Sequence, residues 1–401
     1  MKTVAIVSEY NPFHNGHLYQ IEKIREEFGA DTRIIAIMSG NYTQRGEIAI
    51  LDKWERAKIA VKCGVDLVLE LPFPYSCASA EFFARAAVHI ANSLGVVDIL
   101  SFGSEAGDIE ILKETAQNTL NPTFLKEVSA LTQKAELQSN GYPAILEVAY
   151  YNVYGVKCSF DSPNNILAIE YIKALIQLES SIMPHTIKRL DSEYNEESII
   201  DSEIQSATAI RKALSEDIYS AQDYIPKPAF DIISLNSLDK KFPCDAERIS
   251  SAIISNLIFN VADSADIHDA GGGLYNRLIK QAYEATSISN LIDLTKTKKY
   301  TTARIRRVIW YSFFGVTSSD LRELPSYTQV LAMDKNGQAL LKKIKKTSSF
   351  SVLTKPSRLP EEQTARGQKA LCDKADILFQ HTKHSPEPAS SIYKRTPFIL
   401  L

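Results

Sequence analysis

The first half of the chain predicts a Rossmann-like α/β domain with a parallel sheet, and the second half a mainly helical α+β domain. Three observations lead there. Short runs rich in β-branched and aliphatic residues alternate with amphipathic stretches through residue 215. The first run ends in a turn carrying His14-Asn15-Gly16-His17. A proline-bearing stretch at 217–246, with Pro226, Pro228 and Pro243, then separates this pattern from a different one. The predicted division is 1–215 and 225–401.

The predicted strands are 3–8, 33–39, 65–71, 96–102 and 182–190. These short β-rich runs, such as 33–39 (RIIAIMS), separated by amphipathic helices, read as a parallel sheet with crossover helices. Helices are predicted over 17–28, 52–63, 80–94, 109–118, 124–138, 163–178 and 206–214. Pro163 suits a first helical turn. Beyond 247 the pattern gives helices at 247–262, 274–286, 287–297 and 301–314. A strand–helix–strand follows at 328–333, 336–346 and 350–354. The last twenty residues contain Pro and Ser and are expected to be loosely held.

At 401 residues, 45% hydrophobic and 23% charged, the chain has the composition of a soluble globular protein. Cysteines 63, 77, 158, 244 and 372 are odd in number and scattered, which suits reduced thiols in a cytoplasm. The apolar start is broken by Ser8 and Glu9, too early for a signal peptide, and no long apolar run predicts a membrane span. Net charge is −3 but unevenly spread: 1–215 carries 19 Lys+Arg against 28 Asp+Glu, and 216–401 carries 26 against 20. The basic half is the better candidate for a polyanion partner.

The turn after the first strand is the strongest chemical signal. A strand handing over to a helix places a ligand at the helix start, where the dipole favours an anion. Gly16 allows close backbone approach. His14 and His17, three apart, can face one side and donate imidazole N–H groups to phosphoryl oxygens as charge builds up. A zinc site is the weaker reading, because the nearest cysteine is Cys63 and no Cys-x-x-Cys occurs; no metal is expected on the protein itself. Ordinary turn histidines are the remaining alternative.

A second phosphate candidate is Ser206-Ala207-Thr208-Ala209-Ile210-Arg211, where Ser206 can cap a helix and Arg211 can reach over the same end as Thr208. Alone it reads as a plain cap; with the histidine turn it makes a two-clamp nucleotide site. Gly103, Asn164 and Arg189 fall at strand ends or helix starts on the same predicted sheet edge. Gly40–Gly46 reads equally as a lid, a substrate contact or a surface loop. Glu70, Glu81 and Glu105 have no spacing that singles out an acid/base pair.

In the second half, 296–307 (KTKKYTTARIRR) carries Lys296, Lys298, Lys299, Arg304, Arg306 and Arg307 with no acidic residue and Tyr300 among them. Cations with an interleaved aromatic suit RNA backbone contact; a solvated helix face is the equal alternative. At helical spacing Lys299, Arg306 and Arg307 line part of one face. Lys342, Lys343, Lys345 and Lys346 form a second cluster.

These segments resemble the bacterial tRNA(Met) cytidine acetate ligases. The resemblance is carried by AIVSEYNPFHNGHL, MSGNYTQRGE, WERAKIAVKCGVDLVLELP, FGSE, SPNNILAIEY, SATAIR and KTKKYTTARIRR, which run in order along nearly the whole chain. HNGH and SATAIR also look like the two signatures of the wider nucleotidyltransferase superfamily. The resemblance implies an enzyme that activates acetate with ATP and acetylates N4 of the wobble cytidine of elongator tRNA(Met); Mg²⁺ bridging the phosphates is expected to come with the ATP. It implies ATP contacts along Val7, Ser8, Glu9, Tyr10, Asn11, Pro12, Phe13, His14, Asn15, Gly16, His17, Leu18, Tyr19 and Gln20, and at Gly103, Asn164 and Arg189. Residues 190–197 (LDSEYNEE) lack the glycine-rich turn of the family pattern, and Asn165 stands where an acidic residue is expected. The alternative function is a small-molecule adenylyltransferase that joins AMP to a phosphorylated metabolite.

Overall fold

The computed structural model describes residues 1–133, 142–156, 158, 160, 162–189, 205–261, 263 and 266–401. Its first part runs β1 (Thr3–Ser8), α1 (Asn15–Phe28), β2 (Arg33–Ser39), α2 (Lys53–Lys62), β3 (Leu67–Leu71), α3 (Ala80–Ser93) and β4 (Ile99–Ser104). Then come α4 (Ile109–Thr119), α5 (Pro122–Thr132), α6 (Tyr142–Tyr154), α7 (Pro163–Gln177), β5 (Met183–Lys188) and α8 (Ala207–Glu216). The second part holds α9 (Lys227–Leu238), α10 (Ser250–Phe259), α11 (Leu274–Ala282), α12 (Ile288–Thr295), α13 (Thr302–Phe314) and α14 (Ser318–Arg322). It closes with β6 (Tyr327–Met333), α15 (Lys335–Thr347), β7 (Ser351–Leu353), α16 (Gln363–Gln380) and β8 (Phe398–Ile399).

The sheet order is β5-β4-β1-β2-β3-β6-β7, with β8 also on β6. Strands β1 to β5 pair in parallel, as the alternating pattern predicts. On β1 and β2, Val4, Ile6, Ile34, Ala36 and Met38 point into one core and Ala5 and Ile37 into the other. Apolar residues in both alternating sets explain why these strands read as continuous apolar runs. Chain order runs outward from β1 to β3 on one side and through β4 to β5 on the other. The reversal between β1 and β4 makes a crevice at their C-terminal ends, the ligand position of such sheets.

The sheet does not stop at the boundary predicted near 215–225. Strand β6 pairs antiparallel with β3 (Leu67 opposite Met333), and β7 and β8 pair in parallel with β6. The result is a mixed sheet flanked by helices, with a mainly helical segment between β5 and β6. The proline-bearing stretch 217–246, which separates the two predicted patterns, is itself largely helical. Pro226 is the N-cap of α9 and Pro228 lies in its first turn, where a missing N–H costs nothing, and Ala229, Phe230, Ile232 and Ile233 are buried. The last twenty residues are also held: Leu400 N donates to Met333 O, and Lys383 is buried. The five cysteines are unpaired. No described helix is long and apolar enough to cross a membrane.

Candidate active site

A cleft of about 230 Å³ opens at the β1/β4 crevice. The loop leaving β1 supplies Glu9, Tyr10, Asn11 and His14, and α1 supplies His17 and Gln20; Val7 and Ser8 on β1 also line it. Gly103, Asn164, Arg189, Ser206, Thr208 and Arg211 line it too, so the two clamps and three strand-edge residues singled out in the sequence meet in one place.

His14 is the N-cap of α1, and its Nδ1 accepts Gly16 N–H at 3.1 Å. His17 Nδ1 accepts His14 N–H at 3.1 Å in return. A backbone N–H can only donate, so both Nδ1 atoms are unprotonated and each neutral ring carries its hydrogen on Nε2. The reciprocal pattern is a capping box built from two imidazoles. It also closes the Gly16 amide to an anion, because His14 Nδ1 takes it. The ring centroids lie 3.8 Å apart, and Tyr10 packs edge-on against His17 at 4.9 Å. Burial, then the charges of Arg189 and Arg211, pushes the His14 pKa down to about 3. Burial, with His14 and Arg189 beyond it, holds His17 well below the usual histidine range. Both rings are therefore neutral Nε2–H donors at physiological pH.

Arg211 joins the second clamp to the first. Its Nη1 donates to Asn11 O at 3.0 Å and its Nη2 to Thr208 Oγ1 at 3.2 Å. Ser206 caps α8 by accepting Ala209 N–H at 3.1 Å. Gly103 gives Arg189 its path, since a Cβ there would lie 3.3 Å from Arg189 Cγ. Asn164 Nδ2 donates to Glu105 Oε1 at 2.6 Å, and Asn165 N donates to Glu105 Oε2 at 2.9 Å. Asn165 Oδ1 accepts Ala106 N–H, so this departure from the family pattern braces the loop after β4. Residues 190–197, the other departure, lie outside the described residues.

Several residues of the Val7–Gln20 run do not line the cleft. Phe13 is fully buried in the core, Leu18 packs against that core, and Asn15 Nδ2 donates to Asp223 O. Pro12, Gly16 and Tyr19 likewise do not line it. Sequence reasoning missed part of the wall. Phe83, Phe102, Leu167 and Tyr171 form an apolar side, and nothing local separates them from core residues at helical spacing. The Gly40–Gly46 loop supplies Thr43, Gln44 and Arg45, with Glu47 just beyond it, and Gln44 N donates to Glu9 Oε1 at 2.8 Å. Arg56, wholly buried, donates to Glu9 O, Ser39 O, Gly40 O and Leu51 O, which ties the loops after β1 and β2 together.

The basic run divides in two. Lys296 and Lys298 are exposed, and Lys299, also exposed, donates to Gly272 O at 2.9 Å. The shared face expected for Lys299, Arg306 and Arg307 does not form. Arg304 pairs with Asp269 at 2.9 Å, and Arg306 pairs with Glu47 at 2.7 Å. Arg307 is buried against Gln44 O and Asp269. The loop after β2 covers this side of α13, a contact no local pattern announces. Lys342, Lys343, Lys345 and Lys346 are exposed on α15. Among the described residues, Glu70, Cys372 and Asp376 form a group of metal-ligand type. Lys53 Nζ lies 2.6 Å from Glu70 and 2.5 Å from Asp376, so an ammonium already bridges the two carboxylates.

A family model described as HIGH Nucleotidyl Transferase matches residues 1–391. The chain belongs to the HIGH nucleotidyl transferase family. Within it, the tRNA(Met) cytidine acetate ligase of Clostridium perfringens (strain SM101 / Type A) is 37% identical over 374 residues, covering 89% of this chain and 90% of that protein. The tRNA(Met) cytidine acetate ligase of Acetivibrio thermocellus is 38% identical over 379 residues, covering 89% of each. The crystal structure of Thermotoga maritima TmcAL in apo form I superposes with a TM-score of 0.92 at 30% identity, covering 100% of both chains. The same protein bound with alpha-thio ATP gives 0.89 at 29% identity, again over 100% of both. This member keeps the HIGH motif as His14-Asn15-Gly16-His17.

Proposed function

We propose that this chain is an ATP-dependent tRNA(Met) cytidine acetate ligase. It would form acetyl-adenylate and pass the acetyl group to N4 of the wobble cytidine of elongator tRNA(Met), as the names of its full-length relatives indicate for them. The observation that carries this reading is the pair of neutral Nε2–H donors at the β1/β4 crevice, within one cleft with Arg189 and Arg211.

In the first step an acetate oxygen attacks the α-phosphorus of ATP, the bond to the β-phosphate oxygen breaks, and pyrophosphate leaves. Acetate is already ionised at neutral pH, so this step needs placement and charge stabilisation rather than a base. His14 and His17 donate to the charge that builds on the α-phosphoryl oxygens. Ser206, Thr208 and Arg211 hold the departing pyrophosphate, and Arg189 faces the same phosphates. Of the two carboxylates lining the cleft, Glu47 is paired with arginines, while Glu9 has one oxygen engaged by Gln44 N–H. Glu9 and the phosphate oxygens would therefore hold a Mg²⁺ arriving with ATP, and that ion supplies charge neutralisation. In the second step the cytidine amine attacks the acetyl carbon, the bond to AMP breaks, and the amine loses a proton. The exposed lysines of 296–299 are assigned to the tRNA backbone.

The deciding experiment is mass spectrometry of nucleosides from elongator tRNA(Met) after incubation with protein, ATP and isotopically labelled acetate. Labelled N4-acetylcytidine with AMP and pyrophosphate is expected. Unmodified tRNA under conditions where ATP binds would leave the small-molecule adenylyltransferase as the better reading.

A further inference from the structure

Glu47 stands between two cations from distant parts of the chain. Its Oε2 lies 2.9 Å from Arg211 Nη2 and its Oε1 lies 2.7 Å from Arg306 Nη1. The loop that carries it is braced. Thr43 N and Oγ1 donate to Glu47 O at 2.9 and 3.0 Å, and Trp310 Nε1 donates to Gly46 O at 2.8 Å. Gly46 adopts φ +75° and presses on α13, where a Cβ would come 2.6 Å from Arg306 Cβ and 2.9 Å from Arg307 N. The backbone that carries the carboxylate is therefore held by the fold.

Arg211 does not need Glu47 for its own placement, because Asn11 O and Thr208 Oγ1 already hold its guanidinium. What Glu47 adds is a negative charge on the cation that lines the cleft beside Thr208. The same cleft gathers Arg45, Arg189 and two imidazole donors, a set that would bind a free pyrophosphate tightly.

We propose that Glu47, acting through Arg211, is an internal anion that competes with pyrophosphate and so speeds the departure of that product. The inference rests on the proposed function in taking pyrophosphate as the first product. A phosphate chain entering the cleft displaces the carboxylate from Arg211, while Arg306 keeps it close. When the pyrophosphate bonds loosen, the carboxylate returns to Arg211. No covalent bond changes in this exchange; one charge-assisted contact replaces another. Its cost falls on ground-state affinity and its gain on turnover, because a product held too firmly limits the rate.

The test is calorimetric titration of the full chain with inorganic pyrophosphate, and separately with a non-hydrolysable ATP analogue. Wild type, Glu47→Gln and Glu47→Asp are compared. Glutamine keeps the shape without the charge, and pyrophosphate affinity should rise about tenfold or more, the scale of one charge a few ångströms away at a partly exposed site. Turnover with saturating ATP should fall after an initial burst of acetyl-adenylate. Aspartate keeps the charge but withdraws it from Arg211, and a smaller rise in affinity is expected. A merely structural role would weaken binding. Unchanged or weaker pyrophosphate affinity in both variants overturns the inference. If wild type binds neither pyrophosphate nor the ATP analogue, it is the nucleotide reading of the cleft that fails.

Discussion

Lys383 and Asp52 form a buried ion pair across 331 residues of chain, with Nζ 2.8 Å from Oδ2. Asp52 also caps α2 by accepting Trp54 N–H at 2.9 Å. Burial pushes the Asp52 carboxyl up, but the charges of Lys383 and Arg395 outweigh it and hold the group below the usual range. Removing the lysine alone leaves a buried carboxylate without its cation. Lys383→Met should therefore destabilise the fold by about 3–5 kcal/mol in denaturant titration. Asp52→Asn combined with Lys383→Met should recover part of that loss; strict additivity of the two changes would show that the pair is not coupled.

His14→Asn separates capping from chemistry. Asparagine is a good N-cap, so α1 should survive with little change in melting temperature. The Nε2–H donor is lost, and acetyl-adenylate formation, followed by pyrophosphate release, should fall about 10²–10³-fold while tRNA affinity holds. Normal pyrophosphate release would remove His14 from the reaction.

The two imidazoles set a distinct pH signature. His14 titrates at about 3, pushed down by burial and then by Arg189 and Arg211, and burial lowers His17 as well. Unfolded histidines take up protons near pH 6.5. The stability contributed by keeping His14 neutral is thus whole above about pH 6.5 and lost as pH falls from there toward 3. Protonating Nδ1 in the folded protein removes the acceptor for a backbone N–H, so helix α1 should loosen at its start only as pH approaches 3. ¹⁵N chemical shifts of the rings should report neutral Nε2–H tautomers at pH 6, and a folded-state midpoint near 6.5 for both would contradict the buried capping box.

For RNA, the exposed lysines are now better targets than the arginines. Lys296→Glu with Lys298→Glu should weaken tRNA binding and reduce the salt dependence of the affinity by about 0.7–0.9 per lost phosphate contact. Acetyl-adenylate formation should be unaffected. Unaltered tRNA affinity would take the RNA role away from this stretch. Arg307→Glu, by contrast, places an acid where a buried cation meets Asp269 and should chiefly destabilise the fold.

The legible parts were those where signal and structure are local. Strand β1, the His14–His17 turn and α1 are contiguous, and the apolar runs of β1 to β3 follow from burial on both faces. Ser206, Thr208 and Arg211 could be grouped because a helix cap fixes their spacing. What stayed hidden depends on distance in sequence. Arg306 looked like a cation for RNA because its partner Glu47 lies 259 residues away. Pro226 and Pro228 looked like breakers because a helix start and a linker favour the same residue. The pairing of β6 with β3 leaves no periodic mark in either segment.

That pairing bears on how the chain is made. A ribosome that has delivered the first 215 residues has released β1 to β5, yet the outer edge of β3 still shows bare amides and carbonyls along Leu67–Leu69. Its natural cover is translated more than a hundred residues later. Until then the nascent sheet offers other chains a template, so synthesis of the amino-terminal half by itself should yield aggregates where the whole polypeptide stays in solution.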